Sequence, residues 1–255
     1  MAEDNMTTPA EAEKNEVVSA ALLVIGDEIL SGRTKDKNIS FIADYLTALG
    51  IRLLEVRIVP DVEVEIVSAV DALRARYTYL FTTGGIGPTH DDITADSIAK
   101  ALGVGIDVDQ RALDLMKPYY ERRELELTPS RLRMARIPFG AKLIQNKVSI
   151  APGFMIENVV VMAGVPSVMQ VMLDDAAQYL KVGRKMLSQT IPVERPEGDI
   201  ADMLGEHQNE YTDVSIGSYP SFRDGRMRCE IVLRCVDADR LNETAVSLRK
   251  KIDNL

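Results

Sequence analysis

The chain has 255 residues, 46% of them hydrophobic and 5% aromatic, and a formal net charge of −9. That length holds one large domain, or one domain with a smaller companion, and no window approaches the ~18 consecutive apolar residues of a membrane span. The acidic balance argues against general nucleic-acid binding, so neither a nucleic acid nor a membrane is an expected partner.

Residues 1–18 are polar and acidic, with Glu3, Asp4, Glu11, Glu13 and Glu16 against Lys14 alone. They lack the basic-then-apolar order of a signal peptide and read as a disordered tail. Ala20–Ile25 is a continuous apolar run of strand length. From Asn38 to Leu49, apolar residues recur at Ile39, Ile42, Ala43, Leu46 and Leu49, the face of a helix closed by Gly50. Ile51–Val59 is a second strand. Asp61 is a good N-cap for the next helix, whose inward face is Ile66, Ala69, Val70 and Leu73. Thr78–Phe81 is a third strand; it feeds a glycine-rich loop, Thr82–Thr94, and then a short helix, Ala95–Gly103. Asp109–Arg136 is helical but broken, with a kink expected at Pro118 and a second start at Thr128-Pro129. Lys142–Gln145, Phe154–Glu157 and Asn158–Met162 read as strands, and Pro166–Leu180 as a closing helix. Strands alternating with helices imply an α/β fold. Residues 19–185 are expected to form a three-layer αβα domain, its mostly parallel sheet covered on both faces.

Around Val182-Gly183 the character changes. Ser188–Val193, Val214–Gly217 and Arg228–Val236 read as strands, Asp199–Gln208 and Leu241–Ile252 as helices, and Asp224-Gly225 as a hairpin turn. This βαββα order defines a small α+β domain over 186–255. Cys229 and Cys235 are the only cysteines and share one strand. Six residues of strand span about 20 Å, too far for a disulfide. Free thiols without an export signal point to the cytoplasm.

The chemistry concentrates in Gly84-Gly85-Ile86-Gly87-Pro88-Thr89-His90-Asp91-Asp92. A strand, a glycine loop and a helix in that order make an anion site, because glycines admit close approach and the free N–H groups converge. Asp91 and Asp92 would repel a bare phosphate, so they point to a bridging divalent metal, Mg²⁺ or another, or to acid/base work. Gly26-Asp27 and Pro60-Asp61 also end strands. All three motifs therefore converge on the carboxyl edge of a parallel sheet, where ligands bind. Residues 117–147 carry eight basic and three acidic side chains. They form either a solvated helical face or a field that draws in an anionic small molecule.

Several motifs carry a family resemblance: Gly26–Thr34 with Asn38, Val59-Pro60-Asp61, the 82–94 loop, Asn146 with Ala151-Pro152-Gly153-Phe154, and Gly164-Val165-Pro166-Ser167. In this order, across residues 19–185, they resemble the molybdopterin-binding (MoaB/MogA-like) domain. That domain is shared by molybdenum-cofactor proteins, the CinA (competence/damage-inducible protein A) family and the front half of some FAD synthases, and the CinA version is the most similar. The C-terminal module resembles the second domain of CinA and FAD-synthase-like chains, in part through Ile216-Gly217-Ser218-Tyr219-Pro220. The family's further amidase domain has no counterpart here, so no deamidase activity is expected. Two departures fall near the expected pocket: Val148-Ser149-Ile150 replaces the usual Val-Gly-Thr, and Ala163 stands where a proline usually precedes Gly-Val-Pro.

The resemblance implies a phosphorylated pterin (molybdopterin) or adenine nucleotide as ligand. It also implies metal-dependent pyrophosphatase activity on ADP-ribose-like compounds, and a homo-oligomer. The rival is a non-hydrolytic carrier or adenylyl-transfer module of molybdenum-cofactor biosynthesis. Gly84, Gly85, Gly87 and Thr89 are expected at phosphate, and Gly164, Pro166 and Ser167 in the same ligand pocket. Asp61 and Asp92 are the expected metal pair and catalytic carboxylates; alternatively each caps a helix, Thr94 being an equal candidate for the second. Asp91 is the weaker neighbour. Asp27 and Glu28 bind ribose or pterin groups or merely open a polar loop, and Ser31 and Thr34 donate to phosphate. His90 is a general acid/base or a neutral donor. His207 is expected on a surface helix.

Overall fold

The computed structural model describes residues 17–223 and 226–255. Most of the expected N-terminal tail and the Asp224-Gly225 turn lie outside these residues. The chain divides into two units between Gly183 and Arg184.

In the first unit, β1 (Ser19–Ile25) leads to the one-turn helix α1 (Asp27–Leu30), then α2 (Asn38–Ala48), β2 (Arg52–Val59), α3 (Glu63–Arg74), β3 (Tyr79–Thr83) and α4 (Thr94–Leu102). There follow β4 (Ile106–Val108), α5 (Gln110–Glu121), α6 (Pro129–Leu132), β5 (Arg136–Pro138), β6 (Lys142–Ile144), β7 (Gly153–Ile156), β8 (Val159–Met162) and α7 (Pro166–Ala176). Six strands form one sheet in the order β2-β1-β3-β8-β7-β6. β2, β1, β3 and β8 run parallel. β7 runs antiparallel to both its neighbours, because only Glu157-Asn158 connect it to β8 and so short a link cannot cross over.

Alternation along β1 builds the three layers. Ala21, Leu23 and Ile25 pack with Ile66, Val70 and Leu73 of α3, Ile98 of α4 and Met116 of α5. Ala20, Leu22 and Val24 face the other way, onto Ile42 and Leu46 of α2 and Met169 and Leu173 of α7. Each fully buried large side chain contributes ~1.5–3 kcal/mol. The crossover through α2 and that through α3 thus cover opposite faces. The chain leaves β1 toward β2 on one side, and β3 lies on the other. The gap beyond the carboxyl ends of β1 and β3 is the topological switch point of the sheet.

Local structure differs from the sequence reading in a few places. α3 begins at Glu63 with Val62 in the capping position, so Asp61 stands one residue too early to cap it. α4 begins after Ile93 and has no side-chain cap; Asp92 turns back onto Thr89, and the Thr94 hydroxyl donates to the Gly84 carbonyl at 3.0 Å. β4 and β5 form an antiparallel pair that three-residue strands are too short to announce. α5 runs on through Pro118 to Glu121, while Thr128 caps α6 as expected.

The second unit contains β9 (Leu187–Val193), α8 (Ala201–Glu210), β10 (Ser215–Arg223), β11 (Arg226–Cys235) and α9 (Ala238–Asp253). Its antiparallel sheet has the order β10-β11-β9. Ile191, Ile231 and Leu233 pack against Leu204, Leu241 and Leu248. Both cysteines are free and buried. His207 is not on the surface: it is fully buried, with Nε2 3.2 Å from the Thr244 carbonyl oxygen and its ring 4.6 Å from that of Tyr211. Met203, Leu204 and Tyr211 stand one turn from it on the same helix face and pack in the core, a local signal of burial.

Candidate functional site

The site stands at the switch point. Gly84 ends β3 with φ +102°, and a Cβ there would lie 2.0 Å from the Ile25 carbonyl oxygen. Glycine therefore lets β3 turn directly across the end of β1. Gly85, with φ +65°, has Thr94 Oγ1 where a Cβ would stand, and Gly87 has the Asp92 carboxylate there. Backbone packing and positive φ thus demand glycine at 84 and 85, whereas Gly87 meets only the movable end of the Asp92 side chain. That packing leaves the N–H groups of Gly85, Ile86 and Gly87 without a hydrogen bond to any other described residue. α4 and α7 both start at this edge, α7 with proline at its first position and no side-chain cap. Two helix N-termini and a run of free amides make a positive backbone environment.

A cleft of about 560 Å³ opens here. Of the residues singled out from sequence, Glu28, Thr34, Gly84, Gly85, Gly87, Asp92, Gly164 and Pro166 line it. Ile86 and Val165, both within motifs singled out from sequence, also line it; the rest of its apolar wall was not foreseen: Met134, Val168 and Met172. Met134 arrives from the broken helical stretch, and Val168 and Met172 from the closing helix α7. Ser149 and Ala163, the two departures from the family pattern, also line the cleft, and the Ala163 N–H points at the Met172 sulfur, 3.3 Å away. Asn38, almost fully buried, donates from Nδ2 to the Gly164 carbonyl at 2.8 Å and ties the start of α2 to the loop before α7.

Asp61 lies at the floor of the loop. Its Oδ2 accepts the Asp27 N–H at 3.0 Å, and its Oδ1 is 3.5 Å from the position a Cβ on Gly85 would take. Burial pushes the Asp61 carboxyl above the ordinary carboxylate range; the charges of Asp27, Glu28 and Asp91 push the same way, against the hydrogen bond from Asp27. Asp92 accepts the Thr89 N–H on Oδ2 at 2.7 Å, and the Thr89 hydroxyl as well. Oδ1 of each aspartate makes no hydrogen bond to a described residue. Among the described residues no group of three histidine, cysteine or acidic side chains is arranged to hold a metal.

The remaining expected residues stand apart from the cleft. Asp27, Ser31, Asp91 and Ser167 are exposed at its margin. Thr89 and His90 line a second, shallower cleft of about 540 Å³ with Thr128, Ser130 and Arg131. The His90 side chain is 98% exposed, its Nδ1 3.9 Å from Asp91 Oδ1. Only part of the basic segment reaches the loop. Arg133 donates from Nη2 to the Asp92 carbonyl at 3.1 Å, its Nε buried without a partner, and Arg136 pairs with Asp96 of α4. Arg123, Arg131 and Lys142 instead lie over the rings of Tyr119, Tyr120 and Tyr179.

Residues 21–182 match the family model described as a probable molybdopterin binding domain, and residues 185–254 match that of the FAD synthase middle domain. A protein of Caldivirga maquilingensis is 38% identical over 203 residues, 78% of this chain and 78% of its own length. One of Pyrobaculum arsenaticum is 36% identical over 210 residues, 79% of each chain. Among solved structures, the protein CinA of unknown function from Thermoplasma acidophilum aligns with a TM-score of 0.59 and 34% identity, covering 63% of this chain and 98% of that one. No helix among the described residues is long and apolar enough to cross a membrane.

Proposed function

The chain belongs to the molybdopterin-binding domain family and has a CinA-like structure, and from that premise we propose that it binds a phosphorylated pterin or adenine nucleotide and hydrolyses the pyrophosphate of ADP-ribose-like compounds. One observation carries the reading: Asp61 and Asp92 flank a glycine loop whose amides are unpaired. In this reading the flat heterocycle lies against Ile86, Met134 and Met172. The phosphates take the amides of Gly85, Ile86 and Gly87 and the N-termini of α4 and α7. Asp61 and Asp92 would hold a divalent cation through their free oxygens. Bound there, it would supply neutralisation of phosphate charge and acidification of a water.

The chain's own groups do the positioning. The Asp27 N–H fixes one oxygen of Asp61, Thr89 fixes one of Asp92, and Arg133 pins the Asp92 main chain. Raised by burial and neighbouring carboxylates, Asp61 is poised to gain from a cation. His90, exposed in the neighbouring cleft, is left out of the proposed machinery. A second reading, binding without hydrolysis in molybdenum-cofactor biosynthesis, draws on the match of residues 21–182 to the molybdopterin-binding family.

Release of AMP from ADP-ribose with Mg²⁺ decides between them. Asp92→Asn keeps shape and hydrogen bonding but removes charge, so turnover is expected to fall at least about a hundredfold with the fold intact, as when a transition-state contact is lost. Asp61→Asn is expected to act likewise, and the double variant to lose little more. Wild-type turnover in both single variants would remove the paired-carboxylate mechanism. An inactive wild type that still shows ligand-induced thermal stabilisation selects the binding reading.

A further inference from the structure

We propose that the Ser149 hydroxyl is a specificity-determining group of the cleft: oriented by Asn146, it donates to an oxo group on the ligand's heterocycle and selects such a ring over one with an amino group there. This deepens the reading given above and rests on it, since it takes the phosphates to lie on the glycine loop. Ser149 stands where the family resemblance has glycine, so the hydroxyl is this chain's own.

The Asn146 side chain, 4% exposed, fixes the direction of that hydroxyl. Its Oδ1 accepts the N–H groups of Val148 and Ser149 at 2.9 and 3.1 Å. Two N–H groups converging on one atom identify it as the oxygen, so the amide has one orientation. Nδ2 then faces Ser149 Oγ, 2.6 Å away, and the Ala151 carbonyl, 3.0 Å away. The amide's hydrogen-bonding capacity is thus used up within its own turn. Ser149 Oγ accepts from Asn146, and its own proton points elsewhere. No described residue accepts that proton. Ser149 is exposed and lines the cleft, so the proton is offered there. A hydroxyl that already accepts a hydrogen bond is polarised into a better donor.

The turn is held against local strain. Ile150 has φ +72°, in the left-handed region that a β-branched side chain disfavours. Its N–H donates to the Asn146 carbonyl at 3.1 Å, and its side chain packs on the core. Residues that their surroundings hold in such conformations cluster at ligand sites.

Sheet order says which part of a ligand reaches Ser149. The residue lies in the connection between β6 and β7, and β8 stands between β7 and β3. At about 4.8 Å per strand, the connection starts about 10 Å along the sheet edge from the glycine loop after β3. Ala163 after β8 and Ala151 beside Ser149 line the cleft along this stretch and give a ring small apolar contacts. With phosphate on the loop amides, a flat ring covers the stretch and its far rim meets Ser149. On such a rim an oxo group accepts and an amino group donates. The polarised hydroxyl pairs with the first, and meets the second only through its remaining lone pair.

Inosine diphosphate and adenosine diphosphate share ribose and phosphates and differ at that rim. Calorimetric titration of the full chain with each, in Mg²⁺, is expected to show the oxo ring bound about tenfold more tightly, as one net hydrogen bond contributes. Ser149→Ala is expected to erase the difference, mainly by loss of affinity for inosine diphosphate. Ser149→Thr keeps the hydroxyl and is expected to keep the preference. Asn146→Asp puts an acceptor where Nδ2 stands, so the hydroxyl turns to donate inward. The preference is then expected to reverse toward the amino ring, which a merely structural role for Asn146 would not produce. Circular dichroism melting is the fold control, and Ser149→Ala decides alone if Asn146→Asp does not fold. Equal wild-type affinities, tighter binding of adenosine diphosphate, or a preference that survives Ser149→Ala overturns the proposal and leaves the glycine loop and its carboxylates as read. A wild type that binds neither diphosphate overturns it together with the reading of the cleft.

Discussion

In the C-terminal unit, Asp213 accepts hydrogen bonds from Arg240 Nε and Nη2 at 2.8 and 3.1 Å, and Glu210 accepts two from Lys251. Both carboxyls are held below their ordinary range by those cations. At the carboxyl edge of the large sheet, Asp61 has Asp27, Glu28 and Asp91 for neighbours, and no described cation pairs with it. The first arrangement is complete within the chain. The second leaves a carboxyl among like charges, which is the physical sense in which an acidic group marks a candidate site. The same contrast separates the histidines: His207 is buried with a carbonyl partner, while His90 faces solvent.

The largest test of this contrast is Gly84→Ala. The added methyl would strike the Ile25 carbonyl at a residue with φ +102°, and is expected to cost about 3 kcal/mol or more and to abolish ligand binding. Gly140→Ala, at φ +87° but with nothing near the new Cβ, is expected to cost only ~1–2 kcal/mol of backbone strain. Chemical denaturation measures both; equal costs would mean that the β1–β3 approach does not shape the loop. Next in size is His207→Ala, expected to cost about 2–3 kcal/mol through lost packing on Tyr211 and Leu-rich neighbours. His90→Ala is expected to stay within ~0.5 kcal/mol of wild type. Ligand affinity is expected to be unchanged in His207→Ala, since its role is internal to the C-terminal unit; a loss of affinity there breaks the division of labour drawn above.

Much of this was legible in the sequence because it rests on short-range signals. The apolar runs of β1, β3 and β8 and the faces of α2 and α3 gave the layered sheet, and strand ends followed by glycine located the site. The misreadings share a cause, which is that they depend on contacts distant in sequence. Asp61 is an excellent cap by type, yet the chain turns one residue later and the carboxylate is spent on the Asp27 N–H, 34 positions away. Met134, Val168 and Met172 form the cleft wall only because α7 and the segment before β5 meet across the sheet end. His207 shares a face of α8 with Met203 and Leu204, but that α9 closes over it shows only in its contact with Thr244, 37 positions away.

The smallest effect is also the one whose sign separates the two regions. The Asp61 carboxyl is raised in the folded state, so the folded chain holds its proton more tightly than the unfolded one. Its contribution is fully present below the ordinary carboxylate value, about 3.9, and is lost as pH rises through the folded value. Asp213 is lowered, so its contribution is present above the ordinary value and is lost as pH falls through the folded one. At neutral pH, Asp61→Asn is therefore expected to raise stability by about 0.5 kcal/mol, a figure kept small by solvent screening. It also relieves the repulsion from Asp27, Glu28 and Asp91 while keeping an oxygen for the Asp27 N–H. Asp213→Asn is expected to lower stability, by less and in a salt-dependent way, because Asp213 itself is exposed. Denaturation midpoints measured from acid to neutral pH, at low and high salt, read both. Stabilisation by Asp61→Asn together with loss of metal-dependent turnover would mean that this carboxylate is kept at a cost to the fold. Destabilisation by Asp61→Asn across the whole range would instead make Asp61 an ordinary structural group like Asp213, and the comparison would fail at its central residue.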